Sequence, residues 1–176
     1  MPNPEGLRSV LYEPPTIHSK HCKTHGYNLG MSTIVLVHGA WQSVATWDIL
    51  APLLTKDGHI VVTPVLTGLG TSQSPLSRDV SLTQHVRDVT SELSKLKEPV
   101  ILVGHSYAGM IVSGVAEQVP SMIHHLVFLD AFIPEDGQSV LDLLPAAVGH
   151  HFQTSHTKLA KDGVCQEERD SWICGV

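Results

Sequence analysis

The chain has 176 residues, a formal net charge of −6, and 42% hydrophobic against 16% charged residues. That length suits one domain with a sizeable core, and an acidic balance without a basic block argues against nucleic acid or an anionic membrane as partner. No apolar run approaches the ~20 residues that span a bilayer, residues 1–30 hold no apolar signal core, and Cys22, Cys165 and Cys174 are scattered, so a cytoplasmic protein without a disulfide framework is expected.

Residues 1–30 read as an irregular arm, with several prolines and no periodicity. His18, His21, Cys22 and His25 cluster there, but no second ligand pair stands at finger-like distance, so no metal is expected. Met31 looks like a domain start; the core is expected over 31–145, with 146–176 an incomplete cap or divergent tail.

The run 33–37 (Thr-Ile-Val-Leu-Val) is continuous, as in a strand covered on both faces, and it ends at His38-Gly39-Ala40-Trp41. Residues 45–56 have a helical distribution stopped by Asp57-Gly58, with Pro52 expected to shorten or kink the helix. A strand over 59–63 follows. The Gly68-Leu69-Gly70 loop after it lacks the third glycine and the helix that a phosphate cradle needs.

Ser81 and Gln84 predict a capping box opening a helix to about Lys97, with Val86, Val89 and Leu93 on its buried face and Arg87, Asp88, Glu92 and Lys95 largely away from it. After Pro99 come a buried strand, the turn Gly104-His105-Ser106-Tyr107-Ala108-Gly109 and a helix ending near Pro120. Residues 123–129 form a further strand, in which His124 and His125 should point to opposite faces. Val140 to Leu144 and then His150 to Lys161 are candidate helices. Alternating strands and helices predict a mostly parallel sheet with helices on both faces.

Strand, Gly-x-Ser-x-Gly and helix together describe a turn that exposes a strained serine above the sheet. Gly104 and Gly109 are expected to remove the side chains that would clash where strand and helix converge, and the helix N-terminus favours negative charge at Ser106. A serine needs a base, usually histidine, held by a carboxylate, and donors for an oxyanion. Here the donors are expected to be the N–H groups of Tyr107 and of Ala40 in the loop after His38-Gly39. The alternative is a solvent-facing serine in a tightly packed turn.

The segments Val35-Leu36-Val37-His38-Gly39-Ala40-Trp41, Leu66-Thr67-Gly68-Leu69-Gly70, Val103-Gly104-His105-Ser106-Tyr107-Ala108-Gly109-Met110 and Val127-Phe128-Leu129-Asp130-Ala131-Phe132-Ile133-Pro134 resemble the α/β-hydrolase superfamily, in the branch of small carboxylesterases, methyl-ester esterases and hydroxynitrile lyases. The resemblance covers about residues 31–145. It implies an α/β-hydrolase fold, C-terminally truncated, and ester hydrolysis through an acyl-serine intermediate on Ser106 with no metal or organic cofactor. A small-molecule ester is the implied partner.

The family places a later acid and a histidine after strands that this chain does not reach, so the order Ser…Asp…His is not completed. Asp130, at a strand end beside Ser106, is a substitute candidate for the acid; a turn or N-cap aspartate is the alternative. His38 is expected to scaffold the oxyanion loop and His105 to pack beneath the elbow, while His150, His151 and His156 remain candidate bases and none is assigned. Trp41 and Trp47 are read as core residues, with lining of an acyl pocket as the alternative. Three readings stand: a working serine esterase with a relocated or partner-supplied base, a truncated relative without hydrolytic activity, and a hydroxynitrile lyase. Missing strands would leave a sheet edge bare, so self-association is expected.

Overall fold

The computed structural model describes residues 30–73 and 80–146. Four described strands, β1 (Thr33–Val37), β2 (Ile60–Val62), β3 (Val100–His105) and β4 (Ile123–Leu129), form one parallel sheet in the order β2-β1-β3-β4. Helices α1 (Leu50–Lys56), α2 (Leu82–Leu93), α3 (Ala108–Gln118) and α4 (Val140–Leu143) connect or follow them. No helix among the described residues is long and apolar enough to cross a membrane. The arm with His18, His21, Cys22 and His25, and the tail with His150, His151 and His156, lie outside the described residues.

The unbroken apolar run of β1 follows from burial on both faces. Ile34 and Leu36 pack with Trp47, Val103 and the α1 residues Leu50, Ala51 and Leu54. Val35 and Val37 point the other way, into a larger core with Leu102, Val86, Val89, Leu93 and the α3 residues Ile111, Val112 and Val115. Side chains alternate along a strand, so a strand between two helical layers has no position left for a polar residue.

The region before β2 is two pieces: a single 3-10 turn over Val44–Trp47, then α1. Pro52 falls in the first turn of α1, where a missing N–H costs no intrahelical bond, and Gly58 stops the helix at φ +94°. Ser81 caps α2 through the Gln84 N–H, but the expected reciprocal half of the box is not made; the Gln84 side chain donates to Asp88 instead, at 2.9 Å. A full capping box occurs at α4, between Ser139 and Asp142.

In β4 the expected splitting of His124 and His125 to opposite faces does not occur. The register with β3 slips between Val100 and Ile101, leaving His124 as an extra residue, and both rings are exposed with centroids 4.3 Å apart.

Parallel register aligns the strand exits that build the site. Val37 pairs with Gly104, and Gly104 with Phe128. Two positions further on, Gly39, Ser106 and Asp130 therefore leave the carboxyl edge side by side, where open α/β sheets place their ligands.

Candidate active site

Ser106 follows β3 at φ +55°, a conformation that L residues adopt only where their surroundings enforce it. Those surroundings are visible. The Ser106 carbonyl accepts from Gly109 N–H at 3.0 Å and from Phe132 N–H at 3.1 Å, and the Ser106 N–H donates to Leu129 O at 3.4 Å. The elbow is thus held by its own helix and by the chain leaving β4.

The two flanking glycines have different reasons. A Cβ at Gly104 would stand 2.8 Å from the Ala108 carbonyl oxygen and from Val112 Cγ2, the strand-to-helix approach expected. A Cβ at Gly109 would instead overlap the carbonyl of Phe132 and lie 3.0 Å from Ala131 Cβ, so this glycine admits the segment after β4 rather than β3 itself. Gly39 faces the serine directly, where a Cβ would meet Ser106 Cβ at 3.0 Å.

The loop after β1 is held from two sides. His38 is buried and its Nδ1 lies 3.0 Å from the Gly39 carbonyl; a carbonyl only accepts, so Nδ1 carries the proton. His38 Nε2 is buried with no hydrogen-bond partner. Gln42 Oε1 accepts from Gly39 N–H at 2.9 Å and from His105 Nδ1 at 3.2 Å, tying this loop to the residue before Ser106. His105 also meets Trp47 edge-on, with centroids 6.3 Å apart. His38 is thus bonded within the loop after β1, and His105 is joined to that loop through Gln42. Gln42 was not singled out from sequence, and no periodic signal marks it.

Trp41 corrects the expectation of a core residue. It sits at φ +56°, is 56% exposed, and lines a cavity of about 170 Å³ together with Ala40, Ser106, Tyr107, Phe132, Val140 and Leu144. Trp47 is buried as expected. Ala40 follows Gly39 in the wall of this cavity, and its N–H makes no hydrogen bond with any described group.

Tyr107 is the N-cap of α3 and sends its side chain into the core, where the hydroxyl lies 3.1 Å from His85 Nδ1. His85 Nε2 is 2.9 Å from the Thr67 carbonyl. Asp88 holds Thr67 in turn, accepting from its N–H at 2.7 Å and from its hydroxyl at 3.1 Å, so Asp88 is not turned away from the protein as the helical pattern suggests. His85 escaped the sequence reading, although 85, 89 and 93 follow one another at helical spacing on the buried face.

Burial holds the His38 imidazole below its ordinary value of 6.5, against the Gly39 carbonyl bond and with a lesser contribution from His85. Burial likewise lowers His85 from 6.5, opposed by the Thr67 carbonyl and Asp88. It also pushes the Tyr107 phenol well above its ordinary range.

Asp130 leaves β4 at φ +44°, exposed, and its carboxylate makes no hydrogen bond or ion pair with any described residue. Among the described residues no histidine is hydrogen-bonded to the Ser106 hydroxyl, and no group of three or more His, Cys, Asp or Glu side chains is placed to hold a metal ion.

Residues 34–171 match the model of the Alpha/beta hydrolase family. The chain is 46% identical over 120 residues to a carbendazim hydrolyzing esterase of Nocardioides sp. (strain SG-4G), covering 67% of this chain and 49% of that protein. It is 36% identical over 156 residues to putative methylesterase 11, chloroplastic, of Arabidopsis thaliana, covering 86% of this chain and 40% of that one. Among solved structures, an extracellular alpha/beta-hydrolase from a Paenibacillus species superposes with a TM-score of 0.65 at 39% identity, over 70% of this chain and 50% of the other. The chain spans about half the length of the curated relatives it matches.

Proposed function

The chain belongs to the α/β-hydrolase family, and on that premise we propose a serine hydrolase of carboxylic-ester type acting through an acyl-serine intermediate on Ser106. The observation that carries the reading is Ser106 at φ +55°, held on a strand-to-helix turn at the wall of an apolar cavity. The similarity to an esterase and a methylesterase supports the ester as substrate class.

In this reading Ser106 Oγ bonds to the acyl carbon while its proton passes to a base. The N–H groups of Ala40 and Tyr107 receive the oxyanion, aided by the N-terminal end of α3. Collapse breaks the bond to the alkoxy oxygen, which leaves with the base's proton. Water then takes the alcohol's place and releases the acid. The base is a histidine from outside the described residues or from another chain; Asp130 would orient it only if that histidine arrives on its side of Ser106.

A second reading, a family member without hydrolytic activity, is favoured by one observation: among the described residues no histidine reaches Ser106. A hydroxynitrile lyase would use the same serine and differ only in substrate. In either case β4, with Val127 39% and Leu129 43% exposed, is a surface through which the isolated chain would self-associate.

Labelling with a fluorophosphonate and turnover of p-nitrophenyl acetate decide between the first two readings. The hydrolase labels and turns over, and both are lost in Ser106→Ala. Folded protein that does neither leaves the inactive relative standing. Cleavage of a cyanohydrin without ester turnover would favour the lyase.

A further inference from the structure

We propose that His85 is a positioning residue for the Ser106 site: from α2 it holds the buried Tyr107 side chain and so sets where the Tyr107 backbone N–H points. This deepens the hydrolase reading, because it rests on that N–H receiving the oxyanion.

Tyr107 is the residue after the nucleophile, and its backbone is already helical at φ −51° and ψ −33°. The bonds from Gly109 and Phe132 to the Ser106 carbonyl hold the residue before it. A side chain fixed at its far end adds a hold on Tyr107 itself, since a planar ring leaves two torsions between the hydroxyl and the backbone. Tyr107 is 2% exposed, and its ring meets the His85 ring edge-on, with centroids 5.9 Å apart.

The polarity of the contact is defined. Thr67 O only accepts, so His85 Nε2 carries the proton, Nδ1 is the acceptor, and the Tyr107 hydroxyl donates to it at 3.1 Å. The far end of the chain of bonds is equally secured, because Asp88 grips Thr67 from the turn of α2 that follows His85. Gly114 brings α2 and α3 together closely enough for this reach; a Cβ there would lie 2.9 Å from Val86 Cγ2.

An apolar residue of similar bulk at position 85 would fill the same space. It would leave the phenol without that acceptor. The imidazole therefore does something that packing alone does not require.

The test uses the full chain with His85→Leu, which keeps bulk, and His85→Gln, whose Oε1 can accept from the phenol while Nε2 donates to Thr67. Labelling of Ser106 by a fluorophosphonate and kcat and KM for p-nitrophenyl acetate report the site. Amide exchange at Met110, whose N–H donates to the Tyr107 carbonyl at 3.0 Å, reports the Tyr107 backbone. Val115, deeper in α3, serves as reference.

His85→Leu is expected to lower kcat roughly tenfold or more, as loss of part of an oxyanion contact does, with KM little changed. Met110 exchange should quicken while Val115 stays constant, and His85→Gln should restore both. Tyr107→Phe should reproduce His85→Leu, with the double variant no worse than either. Wild-type behaviour of His85→Leu overturns the proposal, as does parallel loss at Met110 and Val115 that His85→Gln does not rescue. If wild-type protein neither labels nor turns over, the hydrolase reading falls, and the Met110 comparison still decides whether His85 sets the Tyr107 backbone.

Discussion

Strands β3 and β4 leave the sheet side by side, and each is followed by a residue at positive φ, Ser106 at +55° and Asp130 at +44°. The two residues are supported very differently. Ser106 has its carbonyl bonded twice, its N–H bonded to β4, glycines on both sides and helix α3 behind it. Asp130 is exposed and its carboxylate has no described partner. The strands behind them differ in the same sense. β3 is covered by helices on both faces, whereas β4 half-buries Leu126 and Phe128 against the core and leaves Val127 and Leu129 exposed. A strained backbone persists where neighbours over-determine it, so the supported turn is the one read as chemistry.

The sharpest way to break this contrast is Ser106→Ala, which should abolish fluorophosphonate labelling and ester turnover while leaving Tm nearly unchanged; residual labelling would move the nucleophile elsewhere. Gly109→Ala should cost about 3 kcal/mol or more in denaturant unfolding, because its Cβ meets backbone that cannot rotate aside. A mild effect there would mean that the segment after β4 is free to move.

Next in size is the strand comparison itself. Leu102→Ala should cost about 2–5 kcal/mol and Val127→Ala no more than about 1 kcal/mol, since only the first opens a cavity. Equal costs would show that something covers β4 in solution. Asp130→Asn should change stability by less than about 0.5 kcal/mol. A loss of activity on the order of 10⁴-fold in that variant would instead reinstate Asp130 as the acid of a triad.

Acid pH gives a gentler test of the supported side. His38 and His85 titrate below 6.5 in the fold because they are buried, so on acidification the unfolded chain takes up protons first. Their contribution to stability is complete above pH 6.5 and declines as pH falls below it. A thermal melt series from pH 7.5 to 5 should show Tm falling in that window, and His85→Gln should shallow the slope. An unchanged slope would mean that His85 does not stay neutral when folded.

Local chemistry carried much of the fold. Residues 33–37 could be read as a strand from a continuous apolar, β-branched run, and 123–129 from Leu126-Val127-Phe128-Leu129 despite the two histidines before them; the parallel sheet followed from the alternation of strands with helices. The elbow was legible for a related reason: Gly-x-Ser-x-Gly between strand and helix is a local pattern, and the Gly104 contact with Ala108 and Val112 is its local steric part. Other features depended on partners distant in sequence. The Gly109 clash is with Phe132, the His85 bond is with Tyr107, and Gln42 joins Gly39 to His105.

By itself, then, the sequence determined the order of strands and helices and which serine stands on the turn between β3 and α3, because both depend on neighbouring residues and on the period of two or of 3.6. It missed the split of 45–56 into a 3-10 turn and α1 and the end of α2 at Leu93. Only the tertiary structure decided what surrounds that serine. Parallel register brings Gly39, Ser106 and Asp130 to one edge. The approach of α2 to α3 places a buried histidine under Tyr107, and the slip in β4 puts His124 and His125 together. Each is a long-range distance, set by how whole elements pack and by no local run of residues.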